Sequence, residues 1–221
     1  MSSQDKLPAW VRENVPEEGR LGFAGKAVHA YGGGNIAYLP VLTGREMMAD
    51  DYYGFPRGTI EYDYPPRALR EKGWEGWREW SELYGITHWA ASKGPCQERM
   101  RRSGFFEEAG RFTMGDYDVV AFRTKGVESP RRLIGAKGTV RAEENRIVVE
   151  FAGEAPEECR VRYNWRKGLA CRTEGAEIFP AEMSEQVRFI GIRPGGARRV
   201  EIGYRPHAAP VEPNFDGRFH H

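Results

Sequence analysis

The chain has 221 residues, of which 40% are hydrophobic and 12% aromatic, so it is long enough to bury a sizeable core in one large domain or two small ones. The 33 Lys and Arg residues nearly balance the 32 Asp and Glu residues, and the resulting net charge of +1 disfavours nucleic acid as a partner. No stretch approaches the roughly 18 to 20 consecutive apolar residues that a membrane-spanning helix needs, so we expect a water-soluble chain.

The first half of the chain alternates helix and strand signals, which is the pattern of an α/β layer. A short helix that Pro8 opens and Pro16 stops is followed by a strand-sized apolar run at residues 21–24. Residues 67–84 carry tryptophans at helical spacing and are followed by Gly85, a natural helix terminator. The other elements predicted in this half are a strand at 86–91, a helix at 95–102 and a strand at 117–123.

Two stretches of the first half break any regular period. Residues 36–42 are apolar but contain Pro40, which favours an edge strand or an irregular segment. Residues 50–66 are rich in Asp, Gly and Pro and therefore predict a long loop. Long loops in compact domains are often functional, so this loop is the first place to look for a binding site.

The second half contains short strand-like runs that recur about every ten residues, the spacing expected of a β-sandwich or barrel. The predicted strands are 139–141, 146–151, 159–165, 169–173, 187–193 and 198–204. Pro194, Gly195 and Gly196 predict a hairpin turn between the last two strands. The predicted fold class is therefore α+β, with an N-terminal α/β layered subdomain at 8–126, a C-terminal antiparallel β-sandwich at 130–206 and an exposed tail at 207–221.

The long loop carries the side chains from which a glycan site is built. Sugar hydroxyls bind carboxylate, amide and guanidinium groups, and the apolar face of a sugar ring stacks on aromatic side chains. The candidate glycan contacts are Asp50, Asp51, Tyr52, Tyr53, Arg57, Tyr62, Asp63 and Tyr64. We favour the alternative in which these aromatic residues pack onto the helix carrying Trp77 and Trp80, because a buried aromatic side chain contributes about 2 to 3 kcal/mol without any ligand.

A glycoside hydrolase would need two carboxylates at a fixed separation, and Asp50, Asp51, Glu61 and Asp63 are the residues available for that role. Neighbours in a loop have no fixed separation, so this is the weakest of the functional hypotheses. His29 and His88 are isolated, and the tryptophans at 74, 77 and 80 are interpreted as core. No catalytic residue is therefore predicted.

The three cysteines form no CxxC pair, so neither a metal site nor a cofactor is predicted. A Cys159–Cys171 disulfide across a hairpin remains open, although ordinary buried thiols are the favoured interpretation.

Small basic clusters are the remaining charged feature. Their members are Arg99, Arg101, Arg102, Arg131 and Arg132. Above a membrane such groups would face lipid phosphates. A solvated helix face is the interpretation we favour.

Several separate segments, taken in order, carry a resemblance to a known family. They are WVRENVP at 10–16, YLPVLTGRE at 38–46, LYGITHWAAS at 83–92, GDYDVVAF at 115–122, YNWRKG at 163–168, and the closing IRPGG and VEIGYRP at 192–196 and 200–206. Together they resemble the soluble, extracytoplasmic tail of polytopic membrane glycosyltransferases of the C-type superfamily, over most of residues 8–206.

The resemblance implies an origin on the extracytoplasmic face of a membrane, periplasmic or extracellular, after a bundle of helices that this chain lacks. In that superfamily the catalytic acidic residue and the metal ligands lie largely on loops between membrane helices, so the resemblance implies no catalytic, metal-binding or cofactor-binding residue here.

The expected function is a non-catalytic accessory domain that caps the membrane active site or positions a glycan or protein acceptor. Its expected partner is a glycan or a polyprenyl-phosphate-linked sugar, with no nucleic acid. The alternatives are a free-standing carbohydrate-binding protein and, less favoured, a glycoside hydrolase.

Overall fold

The computed structural model describes residues 6–24, 27, 38–48, 69, 71–92, 94–114, 117–128, 130–143, 145–184 and 187–204. Within these ranges the fold is mixed α+β, with helices packed on one of three sheets. The described helices are α1 (Lys6–Asn14), α2 (Tyr38–Thr43), α3 (Trp74–Tyr84) and α4 (Gly94–Arg102).

The first half forms a five-stranded mixed sheet in the order β2-β1-β3-β5-β4. Its strands are β1 (Arg20–Ala24), β2 (Glu46–Met48), β3 (Ile86–Ala91), β4 (Phe106–Met114) and β5 (Tyr117–Thr124). β1 runs parallel to β2 and β3, whereas β5 is antiparallel to β3 and β4. Every residue of β1 and β3 is buried, as expected of strands covered on both faces.

Helices cover both faces of this sheet and build a separate core on each. Helix α1 presents Leu7 and Val11, four residues apart and therefore on one helix face, to Leu21 and Phe23 of β1. On the opposite face, α3 and α4 pack against the other side of the sheet. The main contributors to that second core are Trp80, Tyr84, Met100, Trp89 and Phe122.

The second half forms two antiparallel four-stranded sheets, in the orders β10-β13-β8-β7 and β11-β12-β9-β6. The strands are β6 (Leu133–Ile134), β7 (Gly138–Glu143), β8 (Arg146–Phe151), β9 (Cys159–Asn164), β10 (Leu169–Cys171), β11 (Glu177–Ser184), β12 (Val187–Arg193) and β13 (Arg199–Tyr204). One hydrophobic cluster draws on both sheets, with Val149 and Val200 from the first and Val161 and Ile190 from the second.

Strand β12 contributes to the cores of both halves. Its residues Val187 and Phe189 belong to the core beneath α3, while Ile190 and Ile192 belong to the core between the two second-half sheets. Because side chains alternate along a strand, these two pairs lie on opposite faces of β12. The ring of Phe189 meets the ring of Tyr84 edge-on, with 5.1 Å between their centroids. The two halves are thus packed together through this strand.

The structure corrects the prediction for residues 36–42, because Tyr38–Thr43 is helical. Pro40 lies in the first turn of α2, where a backbone N–H has no intrahelical partner and its absence costs nothing. The carbonyl of Pro40 accepts a 2.8 Å hydrogen bond from the backbone N–H of Gly44, which closes the helix.

The turn at residues 194–196 is not the predicted hairpin. Strand β12 pairs with β11 and β9, whereas β13 pairs with β8 and β10, so this turn carries the chain from one sheet to the other. The helix predicted over 67–84 begins at Trp74. Strands β2, β4, β6 and β11 were not predicted from the sequence.

The predicted boundary between 126 and 130 coincides with the connection from β5 to β6, and the division into two domains stays a prediction. The tail at 207–221 lies outside the described residues. Among the helices that the structure describes, none is long and apolar enough to cross a membrane.

Candidate functional site

Charged and hydrogen-bonding side chains are gathered where the first sheet meets the second half. Arg20, the first residue of β1, is only 2% exposed, and all three of its guanidinium nitrogens are used. Nε donates to the Glu46 carboxylate at 2.9 Å, Nη1 to the carbonyl of Tyr84 at 2.7 Å, and Nη2 to the carbonyl of Arg162 at 2.7 Å. The guanidinium also lies over the ring of Tyr163, 5.1 Å from its centroid.

Glu46 is the anion at the centre of this cluster. One carboxylate oxygen accepts from Arg20, and the other accepts from the Tyr163 hydroxyl and lies 3.3 Å from the nearest nitrogen of Arg132. Burial alone would raise the pKa of Glu46, but the charges of Arg20 and Arg132 and the hydrogen bonds from Tyr163 and Arg20 outweigh it, so the pKa is lowered. The carboxylate is therefore fully ionised at neutral pH.

The same cluster raises the pKa of the Tyr163 hydroxyl well above its usual value, through burial first and then the negative charge of Glu46. Tyr163 therefore stays protonated and acts as a hydrogen-bond donor. Next to it, Asn164 accepts a 2.5 Å hydrogen bond from the Tyr84 hydroxyl at the end of α3. Adjacent residues of β9 thus hold two elements of the first half.

Residues from the family-like segments contact one another across long sequence separations. Arg45 donates to the carbonyl of Val15 at 2.7 Å, which joins the second segment to the chain that follows α1. Glu46 of the same segment accepts from Tyr163, the first residue of the fifth. These residues therefore hold the fold together, whatever else they do.

An open groove with a volume of about 560 Å³ lies next to this cluster. It is lined by residues 130–131 and 133–137 and by Arg162. Arg131 and Lys137 are exposed on its rim. Arg162 reaches under the end of α3, where one terminal nitrogen donates to the carbonyls of Glu82 and Leu83, the latter at 2.6 Å.

The predicted glycan contacts cannot be located in this geometry. Asp50, Asp51, Tyr52, Tyr53, Arg57, Tyr62, Asp63 and Tyr64 all lie outside the described residues, as does Glu61. The glycan-binding and packing interpretations of the loop both stay predictions, and so does the hydrolase alternative.

The tryptophans of α3 belong to the core, as the sequence interpretation held. Trp80 is buried, and Trp74 and Trp77 are partly buried against the same cluster. Trp77 meets Trp89 edge-on, with 5.0 Å between ring centroids. These rings pack the helix onto the sheet.

His88 and the cysteines are buried or half-buried structural groups. Burial and the nearby charge of Arg123 lower the pKa of His88 to about 4, so the imidazole is neutral. Each cysteine is a thiol, so the Cys159–Cys171 disulfide is not formed. Burial and the charge of Glu158 raise the pKa of Cys159 to about 11. Over the described ranges, no three His, Cys, Asp or Glu residues are grouped as metal ligands.

The basic clusters separate into two kinds. On α4, Arg101 forms an ion pair with Glu108, and Arg102 forms one with Glu98. These pairs agree with a solvated helix face. The interpretation is wrong for Arg132, which is half-buried and whose nearest ion-pair partner is Glu46.

Sequence reasoning did not select Arg20 or Glu46 as members of a cluster. The signal for Arg20 is its position at the start of a strand whose other four residues are apolar or glycine, because a charge there needs a buried partner. Nothing in the sequence identifies that partner, since Glu46 is 26 residues away and Tyr163 is 117 residues beyond Glu46.

Comparisons of the chain with protein-family models, with curated proteins and with solved structures found no match.

Proposed function

We propose that the chain is a non-catalytic accessory domain of a membrane glycosyltransferase-like protein, located on the extracytoplasmic face of the membrane. It caps the membrane active site or positions a glycan or protein acceptor. The observation that carries the proposal is that residues of the family-like segments meet in space, as Arg45 does with Val15 and Glu46 with Tyr163. Segments that form one structural unit are what a shared domain requires.

The buried cluster around Glu46 suits a domain of this kind. A carboxylate that accepts from Arg20 and Tyr163 and lies beside Arg132 is neutralised and hydrogen-bonded, so it stiffens the junction between the two halves. A stiff junction is useful to a domain that must hold a glycan-bearing acceptor at a fixed position. In this proposal the cluster maintains geometry and performs no chemistry.

We extend the proposal to the layout of the second half, as a β-sandwich formed by its two antiparallel sheets. Its support is the shared hydrophobic cluster, to which β8 and β13 of one sheet and β9 and β12 of the other contribute. The strands of a sandwich end in clusters of loops, which are common binding surfaces.

The first test concerns the polypeptide in its native cells. An antibody against this domain is used to find the protein in fractionated cells, and its mass is measured. We expect a membrane-bound protein larger than 25.1 kDa. A free polypeptide of that mass in a soluble fraction would contradict the proposal and favour a free-standing carbohydrate-binding protein.

The second test concerns chemistry and recognition. The purified chain is incubated with polyprenyl-phosphate-linked sugars and peptide or glycan acceptors, and it is also applied to a glycan array. We expect neither transfer nor hydrolysis. Glycan binding that Tyr52→Ala or Tyr53→Ala abolishes would assign recognition to the loop, whereas turnover by the isolated chain would refute the non-catalytic role.

A further inference from the structure

The groove beside the second half collects positive charge. Arg131, Lys137 and Arg162 line it, and no Asp or Glu lines it with them. None of these three side chains has an ion-pair partner among the described residues. Three cations that face one concave surface without a counter-charge create a positive potential there, even though the whole chain carries a net charge of only +1.

Arg162 is the innermost of the three cations, and its charge is only partly compensated. One terminal nitrogen donates to the carbonyls at the end of α3, while Nε is buried with no hydrogen-bond partner in the part of the chain that the structure describes. Burial and the positive charge of Arg20 lower the pKa of Arg162, although a guanidinium stays charged at neutral pH.

The carboxylates that lie nearby are engaged elsewhere. Glu82, whose carbonyl receives Arg162, uses its side chain to pair with Arg78 at 2.6 Å. Glu46 is held by Arg20, Arg132 and Tyr163. Within the described ranges, no carboxylate lines the groove to neutralise it.

From this arrangement we propose that the groove binds a phosphate-bearing ligand. Phosphate oxygens are the natural partners of a planar guanidinium fork and of lysine ammonium groups, and several cations match a multiply charged phosphate better than a single carboxylate. A volume of about 560 Å³ accommodates a diphosphate with an attached group. The inference does not rest on the proposed glycosyltransferase-like role, because it uses only the groove residues.

The test measures pyrophosphate binding to the purified chain by titration calorimetry and by the arginine Nε–H signals in NMR spectra. The variant Arg131→Gln/Lys137→Gln removes two exposed cations from the rim. The matched control Lys167→Gln/Arg198→Gln removes one exposed Lys and one exposed Arg that have no ion-pair partner in the described ranges. The two variants have the same net charge and differ only in where the charge was removed.

We expect saturable pyrophosphate binding that shifts the Arg162 Nε–H signal. The rim variant should bind about tenfold more weakly, and the control should stay within about twofold of the unmodified chain. Raising the salt concentration should weaken binding to the unmodified chain more than to the rim variant.

A second arm identifies the source of the phosphate. The chain is mixed with vesicles of phosphatidylcholine containing phosphatidic acid and with vesicles of phosphatidylcholine alone. If the rim variant loses binding to pyrophosphate, the result supports a soluble phosphate ligand. If the rim variant loses binding only to the vesicles that contain phosphatidic acid, the result supports a lipid phosphate. Equal loss in both variants, or no saturable binding to either probe, overturns the proposal.

Discussion

Arg20 and Glu46 show how burial changes the value of an ion pair. Exposed pairs such as Glu98 with Arg102 gain little, because water screens them and two long side chains must be ordered. The side chain of Arg20 is 3% exposed and has lost its water, so its charge depends on the protein groups around it. Removing one partner of a buried pair leaves the other uncompensated.

The substitution Glu46→Gln keeps the shape of the side chain and removes its charge. We expect it to lower the free energy of unfolding by about 3 kcal/mol, because Arg20 and Arg132 would then face each other without an anion between them. Urea titration followed by tryptophan fluorescence measures the change. Glu98→Gln is the control and should cost less than about 1 kcal/mol. If both variants lost the same free energy of unfolding, the buried cluster would contribute no more to stability than an exposed ion pair.

His88 gives the protein a dependence on pH. The pKa of its buried imidazole is lowered to about 4, so between about pH 6.5 and pH 4 the unfolded chain binds the proton more readily than the folded protein. The stability that this residue contributes is therefore complete above pH 6.5 and is lost as the pH falls through 4. The full loss amounts to about 3 kcal/mol.

The test replaces His88 by glutamine, which does not titrate. The free energy of unfolding of His88→Gln should change less between pH 6.5 and pH 4 than that of the unmodified chain. Glu46, whose pKa is lowered, adds a separate loss at pH values below its ordinary 4.5, and both proteins share it. If the free energies of unfolding of the two proteins changed in parallel between pH 6.5 and pH 4.5, the pH dependence could not be assigned to His88.

At the scale of elements, α3 ends at Gly85, where both the backbone conformation and the lack of space for a Cβ atom favour glycine. Gly85 has a φ of 69°, in the left-handed region, and a Cβ atom built on it would lie 2.8 Å from Cβ of Pro130. Gly104, which follows α4, also has a positive φ, 77°, but nothing lies within 4 Å of its Cβ position. The two glycines thus share a positive φ and differ in the space around the Cβ position.

We expect Gly104→Ala to cost about 1 kcal/mol, the ordinary penalty for placing alanine at a positive φ. Gly85→Ala should cost about 1 to 3 kcal/mol more, because Pro130 and the connection to β6 must move as well. Thermal unfolding of the two variants side by side measures the difference. If the two variants lost the same stability, Pro130 would be able to move at little cost, and its contact with Gly85 would not hold the halves together.

Elements with one clear signal were predictable from the sequence. Strands at 86–91, 146–151 and 187–193 have the predicted bounds because each is an apolar or alternating run ended by polar or turn residues. Strand β4 was missed because it is an edge strand with exposed charges. Strand β11 was missed because it contains Pro180, which argues against a strand in the sequence. An edge strand tolerates proline where a central strand does not.

The buried charge cluster and the groove could not be predicted, for a different reason. Each depends on residues that are far apart in sequence, such as Arg20 with the carbonyl of Arg162, which are 142 residues apart. Local periodicity carries no information about such partners. Arg132 illustrates the failure, because its sequence neighbourhood indicates a solvated position while the fold turns it toward Glu46.

At the scale of the whole molecule, the shared core beneath α3 should make both halves unfold together. Five of the six tryptophans are in the first half, so fluorescence reports mainly on that half, whereas far-ultraviolet circular dichroism reports on all three sheets. We expect the two signals to give one coincident transition. Phe189→Ala should shift both curves together and cost about 3 to 5 kcal/mol.

The control is Phe179→Ala on the edge strand β11, a half-buried residue whose loss should cost less than that of Phe189. Two separate transitions, of which Phe189→Ala moves only one, would show that the halves unfold independently.

The position of β12 has a consequence for how the protein is made. Synthesis begins at the amino terminus, so α3 and its sheet are complete long before Val187 and Phe189 leave the ribosome. Until then Tyr84 lacks the ring that covers it in the finished protein. A nascent chain arrested after residue 126 would therefore expose an apolar surface to chaperones, and translation through residue 193 would remove it.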